Sequence, residues 1–288
     1  MASTKDELTD YFVYNKLSET YKKKKPEFSK ALDHLAQAEN RHYEFWKKYT
    51  SQPATSPGIK VRLVLFLRLI LGTSFAVKWL EKDEKKVIAS YISVADLIPP
   101  EDKPKFQEML DDEVEHETMF ANQLEGPAVK YISFIILGLA DAIVEISGIH
   151  AGSLGIYKST EITGLAGVVA GAAASIAMAS AAFAQAKQGF QGKPSVSALF
   201  TGVSYFVTAV FLATPYFVTG DKVLALAGSL TLALVILAFV NYYNSVVSGI
   251  GFLRNFGELA GIMLGATVAL YLFGLLVSAV FGIGSPTL

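Results

Sequence analysis

Hydrophobic and polar positions divide this chain at about residue 127. Before that point apolar residues recur at helical spacing among many charges; after it, apolar runs of about twenty residues follow one another with short polar joints. The first part predicts four helices. The first covers Lys5–Lys24, and a second opens at Pro26, where proline suits a first turn, and runs to Tyr49. A third extends over Ile59–Val94 and a fourth over Lys103–Leu124. The turn-rich stretch SQPATSPG at Ser51–Gly58 links the two helix pairs, and Pro99-Pro100 breaks the chain before the last helix. Five spans follow: Val129–Leu154, Thr163–Phe183, Ser195–Val218, Val223–Tyr243 and Gly257–Ile283. The expected fold class is all-α, with a four-helix bundle in 1–127 and a five-helix transmembrane bundle in 128–288. The third helix is apolar enough to suggest a further span, but Arg62, Arg68 and Lys78 argue against that. Its apolar side is expected in the bundle or against a second protomer, with a membrane-surface position as the alternative.

The first span contains the least expected residues. Asp141 and Glu145 lie near the middle of YISFIILGLADAIVEISGIHAGS, and a carboxylate at the centre of a bilayer costs roughly 2.5–3.5 kcal/mol on insertion scales. Gly138, Asp141, Glu145, Gly148 and Gly152 recur at intervals of three and four, so they share one helical face that is small and acidic. No later apolar stretch has a basic residue in its middle to pair with these acids. The face therefore reads as part of a cation pathway. Small residues also crowd the second span (Gly164, Gly167, Gly171, Ala174, Ala177), and Gly257, Gly261 and Gly265 mark a packing face on the fifth. Glu258 is expected at the membrane interface, with a role in the pathway as the alternative, and Met178 is either core filler or a thioether for a passing metal.

Composition narrows the chemistry. The chain has 288 residues, 52% of them hydrophobic, and a formal net charge of −1, which gives no reason to expect a nucleic-acid partner. There is no cysteine, so disulfides and thiolate sites are excluded and any metal is held by oxygen and nitrogen. The opening MASTKDELTD has no apolar core of a secretory signal. Lys130, Lys187, Lys193 and Arg254 outnumber Lys158 and Lys222 on the other side, so the N-terminal domain is expected in the cytoplasm.

Within that domain the chemistry repeats. Glu39-Asn-Arg-His42 and Glu113-Val-Glu-His116 each place a carboxylate and an imidazole on one helical face. Glu7 precedes the first pair and Glu84 the second, each with a tyrosine seven residues on, Tyr14 and Tyr91. Four glutamates and two imidazoles from four helices are what a carboxylate-bridged dinuclear site requires, and they suit iron or manganese. His34 reads as an ordinary bundle residue.

On these residues the first 120 or so positions resemble the ferritin-like superfamily, and rubrerythrin in particular. Glu81 matches the extra glutamate of the rubrerythrin third helix, which makes it a seventh candidate ligand; the Cys₄ domain of rubrerythrins is absent here. The resemblance implies a dinuclear iron cofactor, with manganese or zinc as alternatives. A second resemblance lies in Leu137–Glu145 and Ala177-Met178-Ala179, which are similar to first- and second-span motifs of the vacuolar iron transporter family. Ala142 departs from that family's usual glycine, and Ala182 and Phe183-Ala184-Gln185 stand where a glutamate and a Tyr-Leu-Ser run are common. The loop between spans two and three is too short for the metal-binding hairpin of the plant and fungal-type members. The whole chain resembles membrane-bound ferritin proteins of prokaryotes. What this implies is a homodimeric, proton-coupled exporter of Fe²⁺ or Mn²⁺ in a prokaryotic cell membrane, with Asp141, Glu145 and Met178 along the path. A membrane-tethered ferroxidase or peroxide-scavenging diiron enzyme is the alternative.

Overall fold

The computed structural model of the chain describes residues 4–50, 58–82, 84–123, 127–157, 159–189, 192–249 and 251–282. The side chains of 84, 85, 115, 117–123, 127–130 and 248 fall outside that description. The secondary structure is helical, without strands among the described residues, and the chain divides into two compact units, Met1–Gly126 and Pro127–Leu288.

In the first unit, α1 (Thr4–Tyr21) and α2 (Pro26–Lys47) form a hairpin. It is fastened near its turn by Ser18 and Ser29, each donating its hydroxyl to the other's carbonyl, at 2.9 and 2.8 Å. The expected single helix over Ile59–Val94 is instead three: α3 (Gly58–Leu71), α4 (Thr73–Leu80) and α5 (Glu84–Val94). Gly72 breaks the first joint with a φ of +88°, a conformation that a side chain would resist. At the second joint Glu81 closes α4, its N–H bonded to the Val77 carbonyl at 3.1 Å. The apolar periodicity runs through both joints, so it gives no sign of them. A short 3₁₀ turn at Ala95–Leu97 leads to α6 (Lys103–Gln123).

Two apolar clusters hold this unit. Val13, Tyr14, Leu17, Leu32, Leu35, Val64 and Val77 make one; Phe45, Trp46, Tyr91, Ile98, Phe106 and Met109 make the other. α3 contributes only Val64 to burial, while Leu63, Phe66, Leu69 and Ile70 stay exposed. His34 is exposed on α2.

The second unit contains α7 (Pro127–Tyr157), α8 (Thr160–Lys187), α9 (Pro194–Val218), α10 (Lys222–Ser248) and α11 (Phe252–Phe281). All five are long and apolar enough to cross a membrane, and they contain the first four expected spans with ends a few residues wider; the fifth begins earlier, at Phe252, and ends at Phe281, while the expected end at Ile283 lies outside the described residues. Their exposure is inverted relative to a water-soluble bundle. Val169, Ile176, Leu199, Val207 and Phe217 face outward, while Thr163, Ser175, Thr201, Thr208 and Ser229 are buried. Such an exterior suits lipid, in which helices associate through close packing and hydrogen bonds rather than through the hydrophobic effect. Both devices are present. Thr201 donates to the Phe134 carbonyl at 3.1 Å and Ser229 to that of Leu212 at 2.9 Å. α7 and α11 meet at backbone distance, where a Cβ on Gly274 would lie 2.2 Å from the Gly152 carbonyl oxygen. The glycines of α8 work likewise: a Cβ on Gly167 would lie 2.0 Å from His150 Nε2. Gly257, Gly261 and Gly265 differ, because nothing packs within 4 Å of their Cβ positions among the described residues.

Candidate metal centre

The two Glu-x-x-His turns face each other inside the first unit. α2 presents Glu39 and His42, and α6 presents Glu113 and His116; all four are buried. Glu39 offers Oε2 to His42 Nδ1 at 3.5 Å and Oε1 to His116 Nδ1 at 3.2 Å. Glu113 repeats the pattern, with Oε1 3.1 Å from His42 Nδ1 and Oε2 3.6 Å from His116 Nδ1. Each of these two carboxylates thus gives one oxygen to each imidazole, and the two rings lie 6.0 Å apart, centroid to centroid. Glu7 from α1 adds an oxygen 3.7 Å from His42 Nδ1. The donor atoms of Glu7, Glu39, His42 and Glu113 all lie within 4.8 Å of one another.

Both Nδ1 atoms are buried and have no hydrogen-bond partner among the described residues, although carboxylate oxygens surround them. Buried polar atoms in native proteins are nearly always satisfied, so two orphaned ligand nitrogens aimed at shared carboxylates fit a pair of cations. Iron fits this oxygen-and-imidazole set.

Two tyrosines brace the outer carboxylates. Tyr91 donates its hydroxyl to Glu7, and Tyr14 donates to Glu81. Each tyrosine is itself locked in one of the two apolar clusters, so packing energy fixes a ligand's position. Glu81, brought inward by the end of α4, lines a cavity together with Glu7, Glu39 and Glu113. Of the pair on the third predicted helix, Glu81 is thus placed at the centre; the side chain of Glu84 lies outside the described residues.

Without a cation the cluster holds protons instead. Burial pushes Glu7 up to about 8, with the charges of Glu39 and Glu113 adding to the effect. Burial likewise raises Glu81 well above the carboxylate range. Burial opposes a charge on His116, but Glu113 and Glu39 overcome it and lift its pKa to about 10. His42 moves up in the same way, its burial outweighed by Asp112, Glu113, Glu39 and Glu7. Burial also works against Glu39, yet the two imidazoles hold it below its usual value.

Reading the repeat overlooks Asp112. Its Oδ2 lies 3.3 Å from His42 Nε2 and accepts from Arg41 Nη2 at 2.8 Å. His42 first, then Arg41, hold its carboxyl down to about 2, so it is ionised at neutral pH. A carboxylate behind the far nitrogen orients a ligand imidazole and raises its basicity. The signal was available as Asp112-Glu113-x-x-His116, but the matching position of the other turn is Ala38.

In the second unit, Asp141 is half-buried and Glu145 exposed, one turn apart on α7. Glu145 accepts a hydrogen bond from Tyr205 of α9, a partner not singled out in the sequence. Met178 packs against the apolar cluster formed by Ala142, Ile143, Tyr205 and Met263 among others. It is thus held near this part of α7, and no direct contact joins it to the two acids among the described contacts.

Comparison with known families finds a match over residues 1–124, to the family described as Rubrerythrin. That part of the chain is therefore a rubrerythrin-type, ferritin-like domain, and iron binding follows from the domain and its buried Glu/His cluster. The match ends before the five apolar helices. No curated protein and no solved structure matches the chain.

Proposed function

We propose that the protein is a divalent transition-metal transporter, specific for Fe²⁺ or Mn²⁺, whose ferritin-like domain captures metal on the cytoplasmic side for export through the five spans. The observation that carries this reading is a pair of carboxylates, Asp141 and Glu145, one turn apart in an apolar helix long enough to cross a membrane. An acid in that position is costly unless it meets water, a partner or a cation. A metal ion arriving there exchanges its hydration shell for carboxylate oxygens. The thioether of Met178 favours a transition metal over Mg²⁺ or Ca²⁺, which prefer shells made of oxygen alone. Tyr205 holds Glu145 towards the α9 side of the face, and protons returning on the two carboxylates couple export to the proton gradient. The motifs around Asp141 and Met178 resemble the vacuolar iron transporter family, which supports the same reading.

A homodimer fits this scheme. Glu145 is exposed in the single chain, and among the described residues nothing packs on Gly257, Gly261 and Gly265 of α11, so one acid of the first span and a small-residue surface lack a cover. The resident metal pair of the first unit would be held by Glu7, Glu39, His42, Glu113, His116 and one or both of Glu81 and Glu84. When bound, it supplies reversible binding and one-electron redox chemistry. The chain's own residues fix its two positions, exclude water and give up protons to make room for it.

Protein reconstituted in liposomes tests the transport reading. Asp141→Asn keeps the shape and removes the charge, so it should abolish Fe²⁺ flux while the first unit stays loaded. Flux at the parent rate in Asp141→Asn would make the acidic face structural. The rubrerythrin match favours a second reading, a membrane-tethered ferroxidase or peroxide-scavenging enzyme. Rapid consumption of oxygen or peroxide with no metal flux would select it.

A further inference from the structure

The dinuclear cluster lies beside a cavity of about 150 Å³ with a lining beyond the expected ligands. Glu7, Glu39, Glu81 and Glu113 form its inner wall; Asp6, Asp10 and Lys60 complete the polar part. Asp6 and Lys60 form an ion pair at 2.9 Å, and both side chains are substantially exposed, 52% and 38%. They therefore mark the mouth of the cavity. Asp10, half-buried and one turn beyond Glu7 on α1, shares this lining. Its Oδ1 is fully shielded from solvent and has no hydrogen-bond partner among the described residues.

A shielded carboxylate oxygen without a donor is an expensive arrangement, and neither of the two Glu-x-x-His turns nor either tyrosine makes use of it. It belongs to neither Glu-x-x-His turn and is not among the donor atoms that lie within 4.8 Å of one another. What such an oxygen offers is a stopping place for a cation that has shed part of its water and has not yet reached the imidazoles. Burial raises Asp10, Glu7 and Glu81 above the usual carboxylate range, so an arriving cation gains their oxygens in exchange for protons, while Glu39 is held ionised and attracts it.

We propose that Asp10 is the entry ligand of the ferritin-like domain: a divalent cation passes the Asp6–Lys60 pair, rests on Asp10 and Glu81, and moves on to the dinuclear centre. This rests on the dinuclear reading of the centre and adds a route and a residue to it. Asp10 does not remain bound once the centre is full. Its role is in the rate of filling and not in the final number of ions.

Stopped-flow mixing of full-length protein in detergent with Co²⁺, whose visible absorption reports its coordination, measures this rate; equilibrium dialysis measures the final stoichiometry. Asp10→Asn is expected to bind two Co²⁺, like the parent, but to fill at least about tenfold more slowly, since charge-lined clefts raise on-rates by about 10–10³. Asp10→Glu should restore rapid filling. A parent rate in Asp10→Asn overturns the proposal, and so does the loss of one ion at equilibrium, which would make Asp10 a resident ligand. On the parent chain alone, the rate should fall as the Debye length shrinks from about 30 Å at 0.01 M salt to about 8 Å at 0.15 M. A salt-independent rate overturns the charged route even if Asp10→Asn fails to fold. Failure of the parent to bind a pair of ions at all would instead refute the dinuclear reading, and the entry role with it.

Discussion

Removing Asp112 should weaken one metal position and leave the other alone. The centre is built from a repeat, but the repeat is imperfect where it matters. Behind His42 stands Asp112, tied in turn to Arg41; the corresponding residue of the other turn is Ala38, which has no polar atom to offer His116. With Nδ1 committed to the metal, His42 must carry its proton on Nε2, and Asp112 is the acceptor that selects this tautomer. Loss of such a partner typically lowers metal affinity by about 10–100-fold, or about 1.4–2.8 kcal/mol at about 1.4 kcal/mol per decade. The Arg41–Asp112 pair itself contributes less, because Arg41 is 48% exposed and solvent screens it. Arg41→Ala should therefore cost well under 1 kcal/mol of that affinity.

A titration of metal-free protein with Co²⁺ under anaerobic conditions, followed by calorimetry, separates the two positions. For Asp112→Ala one binding step should move by the full one to two decades while the other stays in place. Asp112→Asn should fall between parent and alanine, since its amide oxygen still accepts from Nε2–H but has no charge. Equal displacement of both steps would mean that the two positions share one electrostatic environment and that the asymmetry of the repeat has no consequence. Two unmoved steps would remove Asp112 from the account altogether.

Other consequences are open to direct measurement. Metal binding should release protons: His116 holds one up to about pH 10, His42 is raised similarly, and Glu7 holds another up to about pH 8. Both imidazoles and Glu7 must be deprotonated in the loaded state, so affinity for the pair should rise as pH increases from 6 to 8, by up to about three decades per unit for three protons displaced. Release of fewer than about one proton per ion pair, measured in weakly buffered solution, would contradict the ligand assignment. Replacing both His42 and His116 with alanine should remove most bound iron and leave the helical circular dichroism close to that of the parent, because the two apolar clusters do not include either residue. Stoichiometric iron in that variant would refute the centre. Gly274→Ala puts a methyl into the Gly152 carbonyl of α7, a backbone atom that cannot swing aside, so the detergent-solubilised protein should lose about 1–3 kcal/mol and melt lower. An unchanged melting temperature would show that α7 and α11 are not packed at backbone distance.

What could be read from the chain and what could not divides along physical lines. Helix type and the five spans follow from periodicity and from runs of apolar residues, signals spread over many positions and insensitive to any one of them. Glu39, His42, Glu113 and His116 were legible for a similar reason: the fold places two copies of one turn face to face, and the sequence states that turn twice. The break at Gly72 was hidden because the apolar periodicity continues on both sides of it and a single glycine inside such a run is often tolerated. It has a functional result, since the end of α4 at Glu81 sets that carboxylate beside Tyr14. The sequence sets Tyr14 seven residues after Glu7 and Tyr91 seven after Glu84; in space the tyrosines cross, Tyr91 donating to Glu7 and Tyr14 to Glu81.

Asymmetry is the part a repeat cannot announce. Asp112 and Asp10 each lack a polar twin where the repeat would place one: Ala38 stands in the first case, and Val87, three residues beyond Glu84 as Asp10 is beyond Glu7, in the second. Searching for what the two halves share therefore passes over both. Yet a dinuclear centre that hands its ions onward needs its two halves to differ, since two positions of equal affinity and equal access give an ion no preferred order of arrival or departure. Asp112 strengthens the His42 position through the far nitrogen of the ring, and Asp10 lies on the α1 side of the cavity, one turn from the glutamate that belongs to that same position. The two unmatched carboxylates thus act on the same half of the centre. Entry beside Glu7 and tight binding at His42 would fill that position first and leave the His116 position as the weaker one. If the unit feeds a transport path, the ion held at His116 is the one free to leave. Selective loss of one cobalt from loaded protein on dilution, with the Asp112-dependent ion retained, is the behaviour this ordering requires; simultaneous loss of both would contradict it.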